Sequence, residues 1–505
     1  MSPRRTHCLS CVASACLLAV AVAACSAGGS SSPGAGGSAA GGAAGAGVGG
    51  AAGDGGGGTG QAAGSGGSGG AAGGGSGTGG AAGTIGVGGA AGRGGTGGAG
   101  GSAGARGGAG GSAAGAGGAA GARGGAGGSG GAGTTGTAGT SGAGGGPIPT
   151  RAACTAPAAY RDLFIEMLGK TQADVDTKIN NIFTQLFHGN SSQVIYYELG
   201  TDQAFIEDIA NGDVRSEGVS YGMLITATLG MKTEFDKLWK FASTRMRQSN
   251  GLFAWQLDTS GGVISSGDAP DGDEYFAEAL MLASRKWGDS GTFNYGSDAR
   301  AAMGGLATAG AFNTNPAIVR FTPGSSFTDA SYVLPLFYSE WACFDTAHAS
   351  VWQGATTYAR TFFQAATNAS TGLAPDHSGF DGSAMGNFGS DAWRVPMNIM
   401  MDFNLNNADP WQGQTYAPRM AAFWKAQGNY GNGYTLTGTA TSTGHGAGLT
   451  GVNAMLAFAL SPTDAKPFLQ AAWDVIVPTG TYRYYDGSLY LLSMLHMSGK
   501  FQLGY

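Results

Sequence analysis

Three segments of the chain place carboxylates among small or aromatic residues where a helical pattern begins. Glu217 enters an apolar stretch with small neighbours on both sides, Asp271 lies among three acids within 271–274, and Asp391 lies two residues before a tryptophan. A carboxyl group in an apolar setting has a raised pKa because its charged form is desolvated, which is what a general acid requires. Capping of a helix, or interaction with its dipole, explains the same placements equally well. Residue type and spacing alone leave both interpretations open.

The usual motifs of metal and nucleotide sites are missing from the sequence. Its six histidines contain no HExxH motif and no pair four residues apart, which gives a zinc site little support. The acids at 271–274 are not followed by the glycine and glutamate of an EF-hand loop, and no Walker loop occurs. These absences weigh against a zinc, calcium or nucleotide site.

Apolar residues after Arg151 recur mostly at helical spacing. Capping-box spacing at 171–174 and at 233–236 precedes two of these patterns. The segment 446–460 is apolar nearly all round, which indicates an inner layer of helices covered by an outer one. Twelve helices in two layers favour an all-α fold in which six hairpins close into an (α/α)6 barrel. The predicted helices lie near 171–187, 217–231, 233–248, 273–287, 297–310, 329–344, 346–367, 390–405, 416–427, 446–460, 463–477 and 486–498.

Glycine is concentrated before this helical part. The chain has 99 glycines in 505 residues, and 61 of them lie in the 122 residues from Ser26 to Pro147, whereas all the aromatic residues come after 150. A segment without aromatic residues cannot bury enough apolar surface to offset the entropy lost on ordering. We therefore predict a disordered Gly/Ala/Ser-rich linker over 26–150 and a catalytic or binding domain over 151–505.

The first 25 residues are typical of an export signal. Arg4 and Arg5 form a basic start, and an apolar run covers 12–23, too short to span a membrane. The ending Val22-Ala23-Ala24-Cys25 resembles the lipobox of bacterial lipoproteins, in which the cysteine is lipidated. The resemblance predicts a membrane anchor through a lipid at Cys25, at the cell surface or outer membrane, with ordinary secretion as the alternative.

Two cysteines and an acidic charge balance characterise the predicted domain. Cys154 and Cys343 could pair in an oxidising compartment, although the sequence does not establish that they lie close together. The domain has 21 Lys and Arg against 31 Asp and Glu, a net charge of −10. This balance argues against nucleic acid as a partner, because nucleic-acid binding needs a basic surface. We expect a monomer.

Four segments resemble the motifs of glycoside hydrolase family 8, and they occur in the family's order. They resemble, in turn, its proton-donor motif, its signature segment, its base segment and its C-terminal helix. The segments are Ser216–Met223, Ala269–Trp287, Ser390–Val395 and Arg483–Leu492. Because they span nearly the whole domain, chance similarity is a poor explanation.

The resemblance implies an (α/α)6 barrel that hydrolyses β-1,4-linked glycans with inversion at the anomeric carbon. By position in the motifs, Glu217 is the implied general acid, Asp391 the general base, and Asp271 the residue that holds the distorted sugar in the cleavage subsite. The implied substrate-binding residues are Tyr332, Arg394, Tyr275 and Trp255. An inverting pair of carboxyl groups stands ~6.5–9.5 Å apart, with a water molecule beside the base. The resemblance also implies that the reaction requires no metal ion and no cofactor.

One departure from the family's pattern points to a substrate. Pro270 stands where cellulase-like members usually have serine or threonine, and segments 270–277 and 251–255 are more similar to those of xylan-active members. We therefore expect a plant-type β-glycan, xylan or xylo-oligosaccharides, as substrate. The alternatives are the same machinery acting on β-1,4- or mixed-linkage glucan, and a surface carbohydrate-binding lipoprotein that has lost catalysis. Endo or exo action stays open.

Overall fold

Helices fill most of the chain that the computed structural model describes, which is residues 149–505. The predicted signal at 1–25, Cys25 and all but the last two residues of the predicted linker lie outside the described residues. Each of the twelve predicted helical segments contains a helix, and one short helix precedes them. The helices are α1 Leu163–Leu168, α2 Gln172–His188, α3 Ser216–Leu229, α4 Lys232–Phe241, α5 Pro270–Trp287, α6 Tyr295–Thr308, α7 Pro335–Phe344, α8 Ala349–Ala366, α9 Arg394–Leu405, α10 Ala417–Gln427, α11 Ala447–Ala454, α12 Pro462–Asp474 and α13 Arg483–Met497.

Local sequence signals explain where α2 begins but not where α4 begins. Thr171 Oγ1 accepts the N–H of Asp174 (3.1 Å) and the Asp174 carboxylate accepts the N–H of Thr171 (2.9 Å), which is the expected capping box. The similar spacing at 233–236 does not cap α4, which begins at Lys232. Asp236 instead accepts a hydrogen bond from Lys232 Nζ at 2.6 Å, one turn away on the same helix. That part of the expectation is wrong.

Six helices form a closed inner ring. In the order α3, α5, α7, α9, α11 and α13, each contacts the next, and α13 contacts α3. Outer helices pack against them: α4 on α3, α6 on α5, α8 on α7, α12 on α11 and α2 on α13, while the π-helical turn Gln412–Tyr416 links α10 to α9. The inner helices are buried on most sides; in α3, every residue from Ser216 to Ala227 except Glu217 is buried. This two-layered ring is consistent with the expected (α/α)6 barrel.

Ten short strands lie between the helices described in residues 149–505, and the all-α expectation included none of them. Strands β1 to β5 form an antiparallel sheet in sequence order, β8 and β10 flank β9, and β6 pairs with β7. Strands of two to six residues are too short for a hydrophobic period to reveal them. They are β1 Tyr196–Leu199, β2 Gln203–Asp208, β3 Asp213–Arg215, β4 Ala254–Asp258, β5 Val263–Asp268, β6 Phe312–Thr314, β7 Ala317–Val319, β8 Phe327–Asp329, β9 His377–Gly379 and β10 Ala384–Met385.

A disulfide and a buried carboxylate attach both ends of the described chain to α7. Cys154 and Cys343 are joined, with their Cα atoms 5.6 Å apart. Glu340 is fully buried; it forms ion pairs with Arg151 and with Arg285 (3.1 Å), and it accepts a hydrogen bond from the Tyr505 hydroxyl (2.6 Å). No helix in residues 149–505 has the combined length and apolar composition needed to cross a bilayer.

We expect replacement of both Cys154 and Cys343 by serine to lower the free energy of unfolding by ~2–4 kcal/mol, because the bridge closes a long loop in the unfolded chain. Urea unfolding of the native chain and the double variant, each with and without reductant, measures this. Reductant should bring the native chain down to the level of the variant and leave the variant unchanged. Equal midpoints for the oxidised native chain and the variant would contradict a stabilising role.

Candidate active site

The three candidate carboxylates lie at the N-terminal ends of inner helices. Glu217 is the second residue of α3, Asp271 is the second residue of α5, and Asp391 opens the 3-10 turn Asp391–Trp393 that leads into α9. Neighbouring helices approach closely here: a side chain at Gly272 would collide with Ser216, the residue next to Glu217. The ring therefore brings together carboxylates that are far apart in the sequence.

A buried arginine connects these carboxylates. Arg394 Nη1 donates to Glu217 Oε1 at 3.0 Å and to Asp271 Oδ2 at 2.8 Å, while its Nη2 lies 3.9 Å from Asp391 Oδ1. The arginine side chain is only 3 % exposed. Its guanidinium stands over the ring of Tyr332, with 5.4 Å between Cζ and the ring centroid. The structure thus brings the predicted residues Tyr332 and Arg394 to the predicted carboxylates.

Glu217 combines a largely enclosed side chain, 16 % exposed, with several hydrogen bonds. The Tyr484 hydroxyl donates to its Oε2 at 2.7 Å, and the Tyr221 hydroxyl donates to its Oε1 at 3.3 Å. Burial raises the pKa of Glu217 to about 7 and Asp271 adds to the rise, while Arg394 and the Tyr484 hydrogen bond oppose it. At neutral pH a large fraction of this side chain is therefore protonated, as a general acid requires.

Asp271 is the more enclosed of the two carboxyl groups that Arg394 binds. Burial raises its pKa, while the Arg394 charge and the hydrogen bonds from Arg394 and from the Gly272 N–H (2.8 Å) oppose the rise. Both of its oxygen atoms have a donor, so the carboxyl group has one defined orientation.

Asp391 is the most open of the three, with a side chain that is 40 % exposed. Its carboxylate faces Nη2 of Arg394, whereas Glu217 and Asp271 bind Nη1. One guanidinium therefore separates a solvent-accessible carboxylate from two enclosed carboxyl groups. Such an arrangement can supply an acid on one side and a base with access to water on the other.

The other two predicted substrate-binding residues pack against Tyr221 and Arg215, which lie close to Glu217 in the sequence. Tyr275 is 2 % exposed and packs edge-on against Tyr221, with 4.6 Å between ring centroids. Trp255 is partly exposed on β4, and its ring lies under the guanidinium of Arg215 (5.7 Å). Contacts of either residue with a substrate stay predictions.

Tyr484 has no predicted role, although it lies in 483–492, the segment that resembles the family's C-terminal helix. It comes from the first turn of α13, at the far end of the chain from its partner Glu217. A Cβ atom at Gly218 would lie 2.5 Å from a ring carbon of Tyr484, so glycine beside the acid is what allows the tyrosine to reach it. The small residue next to Glu217 was the one sequence signal for this contact.

Asp329 is a second residue near the site without a predicted role. It is completely buried, and its Oδ1 accepts the N–H of Ser331 at 2.7 Å, which begins the 3-10 turn Ala330–Tyr332. Burial raises its pKa well above the usual value, and the charge of Asp391 adds to the rise. In residues 149–505, no group of three or more His, Cys, Asp or Glu side chains is arranged to hold a metal ion.

Comparison with known proteins identifies relatives over most of residues 149–505. The model of the family described as "Glycosyl hydrolases family 8" matches residues 203–499. The reducing-end xylose-releasing exo-oligoxylanase Rex8A of Paenibacillus barcinonensis is 32% identical over 68% of this chain and 96% of its own length. A reducing end xylose-releasing exo-oligoxylanase of Halalkalibacterium halodurans is 34% identical over 68% of this chain and 94% of its length. Endoglucanase 2 of Ruminiclostridium josui is 31% identical over 58% of this chain and 65% of its own length.

Solved structures give the same picture. A structure described as a GH8 xylobiose complex from Teredinibacter turnerae has a TM-score of 0.67 and 35% identity, covering 68% of this chain and 98% of that one. Rex8A of Paenibacillus barcinonensis in complex with xylose has a TM-score of 0.65 and 33% identity, covering 68% of this chain and 97% of that one. Both fold and sequence are therefore similar to those of carbohydrate-binding hydrolases.

We expect Tyr484→Phe to raise the pKa of Glu217 from about 7 by roughly one unit, because the hydroxyl that stabilises its ionised form is lost. The protonated acid then persists to higher pH, so the basic limb of the pH–rate profile moves upward. Infrared titration of the Glu217 carboxyl, identified by difference against Glu217→Gln, measures the pKa independently of turnover.

Tyr490→Phe is the matched control for this shift. It removes a hydroxyl from the same helix, one that donates to Ala472 O at 2.9 Å away from Glu217. An unchanged Glu217 pKa in Tyr484→Phe, or an equal change in both variants, would contradict the role assigned to Tyr484.

Proposed function

The chain belongs to glycoside hydrolase family 8, and we propose that it hydrolyses β-1,4-linked xylo-oligosaccharides with inversion at the anomeric carbon. It is a glycosidase that cleaves O-glycosyl bonds. The observation that carries the mechanism is the Arg394 guanidinium, with the enclosed Glu217 on one nitrogen and the open Asp391 beside the other. An inverting hydrolase needs such a pair, with room for water beside the base.

Glu217 is the proposed general acid. Arg394 can only donate, so Oε1 of Glu217 remains an acceptor and the transferable proton belongs on Oε2. The Tyr484 hydroxyl beside Oε2 can donate to the ionised carboxylate or turn to accept from the protonated one. Transfer of this proton to the glycosidic oxygen leaves the departing sugar with a neutral hydroxyl group.

Asp391 is the proposed general base. Its exposed carboxylate takes a proton from a water molecule, whose oxygen attacks the anomeric carbon from the face opposite the leaving group. One carbon–oxygen bond forms as the glycosidic bond breaks, so the configuration inverts. Asp271, which binds Arg394, and Tyr332, whose ring faces Arg394, are proposed to hold the sugar at the cleavage subsite, where a carboxylate stabilises the developing positive charge.

Xylo-oligosaccharides are the proposed substrate because of the relatives and one residue in the signature segment. The exo-oligoxylanases are matched over nearly their full length, whereas the endoglucanase of Ruminiclostridium josui is matched over 65% of its length. Pro270, the residue that departs from cellulase-like members, forms the first position of α5 next to Asp271. β-1,4-Glucan is the second candidate, because endoglucanases are also among the relatives.

We expect the protein to hydrolyse xylohexaose faster than cellohexaose, lichenan or carboxymethylcellulose. Anomeric proton NMR of the first product should show the α-anomer, because single displacement inverts a β-linkage. A label at the reducing end distinguishes exo release of xylose there from internal cleavage. Retention of configuration would refute the mechanism, and a preference for cellohexaose would favour the second candidate.

Two variants assign this activity to the proposed pair. Glu217→Gln and Asp391→Asn should each reduce kcat by roughly 10²–10⁴-fold with unchanged thermal unfolding, because each removes one proton transfer. The controls Glu198→Gln and Asp381→Asn neutralise exposed acids on β1 and in the β9–β10 turn and should leave kcat unchanged. A fully active Asp391→Asn variant would contradict the base assignment.

We also propose that the enzyme is an exported monomer anchored by a lipid at Cys25, with 26–150 as its tether. The Cys154–Cys343 disulfide supports export, because disulfides persist in oxidising compartments. Cys25→Ala should move the enzyme from the membrane fraction to the soluble fraction with unchanged specific activity. A native chain found only in the soluble fraction would contradict the anchor.

A further inference from the structure

The backbone around Asp391 is held by a carboxylate that the mechanism above does not use. Asp376 precedes β9, and its Oδ1 accepts the N–H of Gly389 and the N–H of Ala392, each at 3.1 Å. These two amides lie on either side of Asp391. A single oxygen atom therefore bridges the segment 389–392, which contains the proposed base.

This anchor is significant because the side chain of Asp391 has little direct support. Its carboxylate is 3.9 Å from Arg394 Nη2, which is beyond hydrogen-bond distance. An exposed side chain without a close donor takes its direction from its backbone. Besides Asp376, the Tyr485 hydroxyl holds this backbone by donating to Ser390 O at 2.8 Å.

Gly389 shows that the contact with Asp376 is close. A Cβ atom at this position would lie 2.5 Å from Asp376 Oδ2, so any larger residue would force the carboxylate and the segment apart. The φ angle of Gly389 is not in the left-handed region, so space and not backbone conformation favours glycine here.

Asp376 also connects the base segment to the opposite side of the site. The strand it precedes, β9, pairs with β8, and in that pairing His377 lies opposite Asp329. Asp329 begins the turn that contains Tyr332. The hairpin thus joins the segment of the base to the segment of the proposed sugar-binding tyrosine.

We infer that Asp376 is a positioning residue for the general base, because it fixes the backbone on both sides of Asp391 and so sets the direction of the attacking water. The inference rests on the proposed role of Asp391. Burial raises the pKa of Asp376 to about 6 and the facing Asp391 adds to the rise, while the two N–H groups and His377 oppose it. At neutral pH it therefore accepts both hydrogen bonds mostly as a carboxylate, which makes them stronger than neutral ones.

Two variants of Asp376 separate hydrogen bonding from charge. Asp376→Asn keeps an Oδ1 that can accept both N–H groups, whereas Asp376→Ala removes the acceptor. We expect Asp376→Ala to lower kcat on xylohexaose by roughly 10–100-fold, as a small misplacement of a reacting group does, with KM changed less than about threefold. Asp376→Asn should keep kcat within about threefold of the native value.

The matched control is Asp381→Ala. Asp381 is an exposed acid in the turn of the same hairpin, and its carboxylate accepts the N–H of Ser383 at 2.9 Å. It should leave kcat and KM unchanged. Gly389→Ala disturbs the same contact while leaving Asp376 in place, because the added methyl group collides with the Asp376 carboxylate. It should reproduce the loss of kcat expected for Asp376→Ala.

Hydrogen–deuterium exchange makes the test independent of turnover. The amides of Gly389 and Ala392 should exchange roughly tenfold faster in Asp376→Ala than in the native chain, and at nearly native rates in Asp376→Asn. If the native chain hydrolyses no β-glycan, the proposed function fails while the exchange data still report on the anchor. If the native chain is active, the kinetic data test the anchor separately.

Three outcomes would overturn the inference. One is native kcat in Asp376→Ala. Another is a kcat in Asp376→Asn as low as that of Asp376→Ala while its amides stay protected, since charge and not position would then matter. The third is exchange at Gly389 and Ala392 that is the same in all variants.

Discussion

The buried Arg394 guanidinium is the charge on which the rest of the site depends. Removing a cation from water costs several kcal/mol unless partners surround it, and here Glu217 and Asp271 bind it while Asp391 stands at its outer edge. The dependence is mutual, because two carboxyl groups so close together could not both ionise without a cation between them. Even with Arg394 present, burial raises the pKa of Glu217 and of Asp271. The site therefore retains a proton for transfer near neutral pH.

The ring of helices makes this convergence possible. The inner helices α3, α5 and α9 begin at the site, so they present residues from separate parts of the sequence to one point. Helix N-termini favour negative charge, yet this favourable interaction is outweighed at Glu217 by burial among tyrosines. The short strands complete the arrangement, since β3 leads directly into α3 and β8 into the turn of Tyr332. Elements that helical periodicity cannot reveal thus connect the chain to the functional ends of the helices.

The three carboxylates differ in solvent exposure, and their proposed roles differ accordingly. Glu217 and Asp271 accept hydrogen bonds from donors on several helices. Their surroundings keep a proton on Glu217 and fix the orientation of the Asp271 carboxyl group. Asp391 is open enough for water to reach it, and openness leaves its side chain without close donors. The backbone is held instead, because Asp376 accepts hydrogen bonds from the N–H groups of residues on both sides of the base. An accessible base and a well-directed base are conflicting requirements, and holding the backbone instead of the side chain satisfies both.

Helical spacing in the sequence predicted all twelve main helices and the two-layered arrangement. This was possible because the local spacing of apolar residues reflects whether a helix is buried on one side or on all sides. The family resemblance located the three carboxylates, because each of their motifs is contiguous in the sequence. Residue type and spacing could not distinguish capping from catalysis at Glu217, since that distinction depends on Arg394, nearly two hundred residues away. Tyr484 and Asp376 were unassigned for the same reason. Their roles come from contacts between distant segments, and only the tertiary structure decides which distant groups share one low-dielectric pocket and so what pKa each group has.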